Sequence, residues 1–306
     1  MPRYIGLGKQ TEWDSAASPS VYLDPLSVDV SPEREIYQVR PVSGRFATEF
    51  YPLTVKVGGD IEMLVNPQTF GHILHMFFGN VLTESAGTTA KKHTFTPKDV
   101  DESLPIYTLE IGSGSIYRRI LNCVADSLSI EASAGEPVTA TVGILGTREE
   151  AASSRTPTYP TVRYFTASDA VITIGGQARK LRSFSIEMNN NMVDDHYVLG
   201  SKYLPKHLLG EFEATGSFEI ELDEYSYLSD LLADSEVSIQ ATFTGDQIET
   251  GVNYKLDIII EKAILETWSA EVSHAEAIVQ EIDFIARKTS TNPPVKIELT
   301  NTVESY

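Results

Sequence analysis

The sequence predicts a mainly β protein made of two tandem domains, each a β-barrel or β-sandwich with one short α-helix on its flank. Three observations carry that expectation. Apolar and polar residues alternate with period two in many short runs. Two segments alone show helical spacing. Several segments of the first half return, in the same order, in the second.

The alternation is clearest in SFEIELD (217–223). Phe218, Ile220 and Leu222 share one strand face, and Glu219, Glu221 and Asp223 share the other. SLSIEAS, VTATVGIL, SFSIEMN, YKLDIIIE and AIVQEIDFIA follow the same rule. SAGEP at 133–137 and GSGS at 112–115 predict tight turns between strands. In PQTFGHILHMFFG, Phe70, Ile73, Leu74 and Phe77 have helical spacing and the run stops at Gly79. EYSYLSDLLAD places Tyr227, Leu228, Leu231 and Leu232 similarly. Equivalent helices are therefore expected over 67–78 and 224–233. Ile61, Met63 and Val65 are expected in a core strand equivalent to that of Phe218, Ile220 and Leu222.

Four pairs of segments carry the repetition. GDIEMLVNPQTFGHILHM at 59–76 matches GSFEIELDEYSYLSDLLAD at 216–234. LSVDVS (26–31) matches FSIEMN (184–189), YTLEI (107–111) matches YKLDI (254–258), and AGEPVTATVGILGTR (134–148) matches HAEAIVQEIDFIARK (274–288). The reading is a tandem duplication. A first domain with an N-terminal arm spans 1–150, a Ser/Thr/Pro/Ala-rich linker spans 151–164, and a second domain with a C-terminal tail spans 165–306.

Composition narrows the function. The chain has 306 residues, 42% of them hydrophobic, and a formal charge of −19. Gripping nucleic acid needs Lys and Arg on phosphates, so this balance argues against it. No apolar run is long enough for a membrane helix, and the first residues lack a signal-peptide core, so a protein made in the cytoplasm is expected. Cys123, the sole cysteine, reads as a buried thiol. No Lys or Arg occurs from Leu208 to Tyr254. His72 and His75 are three apart on a helix but have no evident third metal ligand. DDH at 194–196 reads as a turn. GLGKQT lacks the spacing of a phosphate loop, GSGSIYRR opens no helix, and no G-x-S-x-G occurs. No catalytic, cofactor or metal site is expected.

The opening GLGKQTEWDSAASPSVYLD, the stretch from TFTPKDVDE to VGILGT (94–147), SFSIEMNNN and GEFEATGSFEIEL together resemble the major tail tube proteins of long-tailed, siphovirus-type bacteriophages, in their duplicated-domain form. That family is related to the tube subunits of type VI secretion. The resemblance covers most of the chain and is weaker at NPPVKIELTNTVESY and EVSHAEAIVQ. It implies two tail-tube-like domains per chain, and three chains closing a pseudo-hexameric ring. Rings would stack into a virion tail tube, assembled in the host cytoplasm, through which double-stranded DNA passes without being gripped. The implied partners are other copies of the chain, a tape-measure protein in the lumen, and tail terminator and distal tail proteins, with no membrane. Glu219, Glu221 and Asp223 become candidates for the lumen wall, although alternation gives a face and not its direction. The long polar loops expected over 31–51 and 189–208 become candidates for reaching the next ring. Two other classes remain open: a non-stacking tandem β-sandwich for decoration or receptor binding, and a polysaccharide-active β protein. The second would need paired carboxylates with aromatic platforms, and only Trp13 and Trp268 are available.

Overall fold

The computed structural model describes residues 3–221, 226–233, 235–271 and 279–306. The first half contains β1 (Arg3–Lys9), β2 (Val21–Leu23), β3 (Pro25–Val39), β4 (Glu49–Leu64), α1 (Phe70–Phe78), β5 (Gly79–Ser85), β6 (Lys91–Pro97), β7 (Tyr107–Ser113), β8 (Ile116–Ser133), β9 (Thr139–Gly146) and β10 (Arg148–Ala151). The second contains β11 (Ala170–Ile174), β12 (Gln177–Arg179), β13 (Leu181–Asn189), β14 (Glu213–Glu221), α2 (Ser226–Leu232), β15 (Glu236–Glu249), β16 (Val252–Glu271), β17 (Val279–Ala286) and β18 (Lys296–Asn301). The mainly β class and the two short helices are as the sequence predicts.

Eight strands form the antiparallel ladder that matters most, in the order β3-β4-β9-β8-β13-β14-β17-β16. Each half supplies four of them in the same arrangement. Ile61 lies opposite Val142 and Phe218 opposite Ile282. Leu128 also lies opposite Val142, and Trp268 opposite Ile282. The halves meet edge to edge, where β8 pairs with β13 through Ser133↔Ser183 and Ser127↔Asn189.

Two of the four sequence matches need correction. Val28 faces Ile61 and Phe184 faces Phe218, so the structural counterpart of Val28 is Phe184. The LSVDVS–FSIEMN alignment is therefore two residues out, a slip that period-two texture hides because it keeps every side chain on its face. YTLEI lies on β7 and YKLDI on β16, yet the strand that corresponds to β16 in the ladder is β8. Short alternating runs with a leading tyrosine resemble one another wherever they fall.

Helix α1 follows β4 and is buried around nearly its whole circumference, including Phe70, Ile73, Leu74, Met76, Phe77 and Phe78. It starts three residues later than expected, because Asn66 and Gln68 form a turn in which Asn66 Oδ1 accepts the Gln68 N–H at 2.9 Å. Gly79 ends it at φ 78°, where its N–H reaches the His75 carbonyl. Gly71 allows the closest packing on α1, since a Cβ there would lie 2.1 Å from the Tyr306 hydroxyl. Helix α2 follows β14, and its Tyr227 ring meets Phe218 at 5.6 Å. Ile61, Met63, Val65, Phe218 and Ile220 are all buried, as expected from the alternation. Leu222 lies outside the described residues.

One apolar cluster runs through both halves. β18 reinforces it by pairing with β16 of the second half and β6 of the first. The N-terminal residues expected as an arm are instead an integral strand, since β1 pairs with β7 from Arg3↔Ser113 to Lys9↔Tyr107. The linker is docked: Arg155 forks onto the buried Glu110 at 3.0 and 3.1 Å, and Asn66 Nδ2 donates to Val162 O at 3.0 Å.

Both long segments also depart from expectation. Residues 31–51 are not a polar loop. β3 and β4 continue as a two-stranded arm out to Val39↔Glu49, which exposes Ile36, Tyr37, Phe50 and Tyr51. Residues 190–208 fold back on the first half of the same chain. Lys202 O accepts the Val55 N–H at 2.9 Å, Asp194 pairs with Lys56 at 3.1 Å, and Arg148 sits 4.9 Å over the Tyr203 ring. Asn190 Nδ2 donates to the carbonyls of Phe77 and Ala125, both at 3.0 Å. These groups are satisfied within the chain, while Val198 and Leu199 of the same segment stay exposed. Replacing 194–206 with a short Gly-Ser link is expected to lower the melting temperature by about 5–10 °C, since several hydrogen bonds of about 1 kcal/mol each are lost. An unchanged melting temperature by differential scanning calorimetry would show the docking to be incidental.

Candidate bore-facing surface

The ladder has two chemically opposite faces. On β13, Phe184, Ile186 and Met188 are buried, and on β14, Phe218 and Ile220 are buried. The helices and the apolar cluster lie on that side. The odd-numbered residues of both strands point the other way.

Glu219 and Glu221 lie on this second face, as their alternation predicts. Asp223 lies outside the described residues. The ladder brings them together with carboxylates from far along the chain. Glu219 faces Glu281 across β17, and Asp29 faces Asp60 across β3 and β4. Glu131 on β8 and Glu187 on β13 extend the surface across the meeting of the halves. All of these are exposed except Glu219, which is half-buried. Between the carboxylates lie small hydroxylic residues, such as Ser185 and Ser217, whose hydroxyls are 2.9 Å apart. Neither Lys nor Arg occurs in the segments that build the face, 27–31, 58–64, 127–133, 139–145, 183–189, 213–221, 267–271 and 279–285. Two cations border these segments: Arg182, at the bulge that begins β13, pairs with Glu221 at 3.1 Å, and Lys56, farther along β4 and opposite Glu33, pairs with Asp194 at 3.1 Å.

Like charges directly opposite on adjacent strands destabilise a sheet by a few tenths of a kcal/mol to about 1 kcal/mol. The face keeps two such pairs, Asp29–Asp60 and Glu219–Glu281, where Ser or Thr would remove the repulsion. Each of these residues was visible in the sequence as the polar partner in an alternating run. Their convergence was not, because strand order joins positions more than 200 residues apart. Of the described residues in the Lys-free span, only 213–221 lies on this face, since β15 pairs with β11 and with the first part of β16.

His72 and His75, singled out by sequence, and His207, which was not, are structural. His75 Nδ1 is 2.7 Å from the Tyr107 hydroxyl, and the His72 ring meets Tyr306 edge-on at 4.8 Å. His207 Nε2 donates to the Asn122 carbonyl, and its ring packs edge-on against Trp13. Burial holds all three imidazoles neutral, with pKa values lowered to about 4. Cys123 is buried, and desolvation pushes its thiol up to about 12. Among the described residues, no three His, Cys, Asp or Glu side chains converge as a metal site. No helix is long and apolar enough to cross a membrane among those residues.

The three histidines give a pH dependence with a definite sign. Their folded pKa values lie below the unfolded value of about 6.5, so the unfolded chain binds more protons between pH 6.5 and 4. Stability is therefore full above about pH 6.5, falls as pH drops toward 4, and loses up to about 3 kcal/mol per imidazole. Melting temperatures measured from pH 7.5 to 4.5 are expected to fall steeply below pH 6.5, and less steeply in His207→Gln. A flat profile would contradict neutral burial.

The family model described as phage tail tube protein matches residues 3–286. The chain belongs to the phage tail tube protein family. It is a structural component of the virion tail, whose partners are copies of itself and other tail proteins. Comparison with curated proteins gave no match.

Proposed function

We propose that three chains close a ring, that rings stack into the tail tube, and that the acidic ladder face lines the bore through which double-stranded DNA leaves. The observation that carries this reading is the eight-strand face whose carboxylate-bearing middle holds no Lys or Arg, with β3 unpaired on one edge and 265–271 of β16 unpaired on the other among the described residues. The repeated ladder order supports a tandem duplication with units near 1–150 and 165–306 joined by 151–164, so that three chains present six similar units.

Barrel dimensions favour three chains. Strands about 4.8 Å apart and tilted by about 40° give, for eight strands from each of three chains, a barrel ~48 Å across at the backbone with a clear bore of ~35 Å. Two chains leave ~20 Å, too narrow for a hydrated duplex, and one chain closing on itself would press its own carboxylates together. Carboxylates along the wall repel phosphate and keep water between wall and DNA. A wall of Lys and Arg would bind the duplex at every ring and arrest it. The tape-measure protein would occupy the same lumen before ejection, with terminator and distal proteins at the two ends.

The exposed aromatics of the β3–β4 arm suit contact with an adjacent ring, since a two-stranded apolar arm is a liability in an isolated subunit. Negative-stain microscopy of concentrated protein tests the reading. Tubes or stacked rings with a central hole are expected, and dispersed particles without a hole at every concentration would refute it.

A further inference from the structure

We infer that successive chains in the ring are joined by a defined β-junction, in which the free edge of β3 in one copy pairs antiparallel with the free edge of the end of β16 in the next, with Ser31 opposite Ser269. This inference rests on the ring proposed above and adds the edge, direction and register of its closure.

The chain contains the template. At the meeting of the two halves, β13 pairs with the side of β8 that is not taken by β9. The counterpart of β8 is β16, since Leu128 and Trp268 occupy matching places against Val142 and Ile282. The counterpart of β13 is β3, since Phe184 and Val28 occupy matching places against Phe218 and Ile61. Among the described residues β3 pairs with β4 alone, which leaves its other edge open. β16 pairs with β15 no further than Ile264, while β17 continues along it to Glu271, so among the described residues no strand lies along 265–271 on the β15 side. That is the side on which β8 receives β13. Transposing Glu187↔Ser129 and Asn189↔Ser127 gives Ser31↔Ser269 and Glu33↔Thr267 between copies.

Hydrogen-bond parity agrees. Asn190 N–H donates to Asp126 O and Ala134 N–H to Arg182 O, so even-numbered residues of β13 bond across the internal junction. In β3 the even-numbered Val28 and Val30 then face the open edge. Two features bound the ladder. Pro32 has no N–H, so it can only accept there. Arg118 Nη2 already donates to Val30 O at 2.5 Å, and it must swing aside or share that oxygen's second lone pair. A groove beside the start of β3, lined by Leu26, Ser27 and Val28 with Ile111 and Gly112, leaves the approach open.

Cysteine cross-linking reads the register, and the buried Cys123 leaves little background. Ser31 and Ser269 are exposed and would form a non-hydrogen-bonded pair, where opposing Cα atoms lie about 4.5 Å apart, within disulfide range. Full-length Ser31→Cys/Ser269→Cys protein, assembled and oxidised, is expected to run as a covalent three-chain species on a non-reducing gel. Each single variant should stay one chain, and a mixture of the two single variants should give two. Tubes that form without this cross-link, or that cross-link instead as Ser31→Cys/Thr267→Cys or Ser31→Cys/Glu271→Cys, would overturn the register while leaving the ring intact. Failure of the unmodified protein to assemble at all would overturn the ring and the junction with it.

Discussion

Virions whose tail subunits carry both Glu219→Lys and Glu221→Lys are expected to assemble tails and then to eject DNA slowly or stall, more severely at low salt. Both side chains sit on the open ladder face and away from the apolar core, so folding should survive the change. Each substitution replaces a negative charge with a positive one. With three chains, a ring becomes more positive by ~12 elementary charges, and every ring repeats the change. Lysines within about 8–10 Å of passing phosphates act before salt screens them, and each phosphate held adds to a salt-dependent affinity. Lowering the salt concentration should therefore deepen the defect, and raising it should relieve part of it. Ejection rates equal to those of the parent virion at both salt concentrations would show that this face points away from the DNA.

The second large effect is on folding. Ile220→Asp is expected to give insoluble or unfolded protein. Ile220 is buried on β14, opposite Leu181 and Gln280 on the flanking strands, and no cation lies opposite it to pair with a new carboxylate. An unpaired buried carboxylate costs several kcal/mol or more, and the lost apolar contacts add about 2–5 kcal/mol. Together these rival the whole stability of an ordinary domain. Ile220→Val at the same position should cost only about 0.5–1.5 kcal/mol and leave a soluble protein. Circular dichroism and gel filtration separate the outcomes. Soluble, cooperatively melting Ile220→Asp protein would mean that the two faces of β14 had been exchanged.

That exchange of faces is also where sequence reasoning was strongest. Period-two alternation assigned Phe218 and Ile220 to the core and Glu219 and Glu221 to the opposite face, because both faces of one strand are written locally in the chain. Helix α1 was legible for the same reason, with Phe70, Ile73, Leu74 and Phe77 on one stripe and Gly79 at its end. What the local pattern does not encode is which strand lies beside which. Glu219 and Glu281 are neighbours only through the β14–β17 pairing, and Asp29 joins the same face from the far end of the ladder. Two of the four repeat matches faltered on the same point, since alternating texture survives a two-residue slip and recurs on strands that do not correspond. The segments at 31–51 and 189–208 both read as polar connections. Only tertiary contacts separate an extended hairpin arm from a loop whose backbone and side chains are used up on its own first half.

The most direct test of the account is a three-dimensional reconstruction of tubes formed by the unmodified full-length chain, by cryo-electron microscopy at side-chain resolution. The account predicts three chains per ring around a continuous inner β-barrel, with Glu131, Glu187, Glu219 and Glu281 facing the axis and α1 and α2 on the outer side. A tube whose inner wall is built by other strands, with these carboxylates on its outer surface, would contradict it.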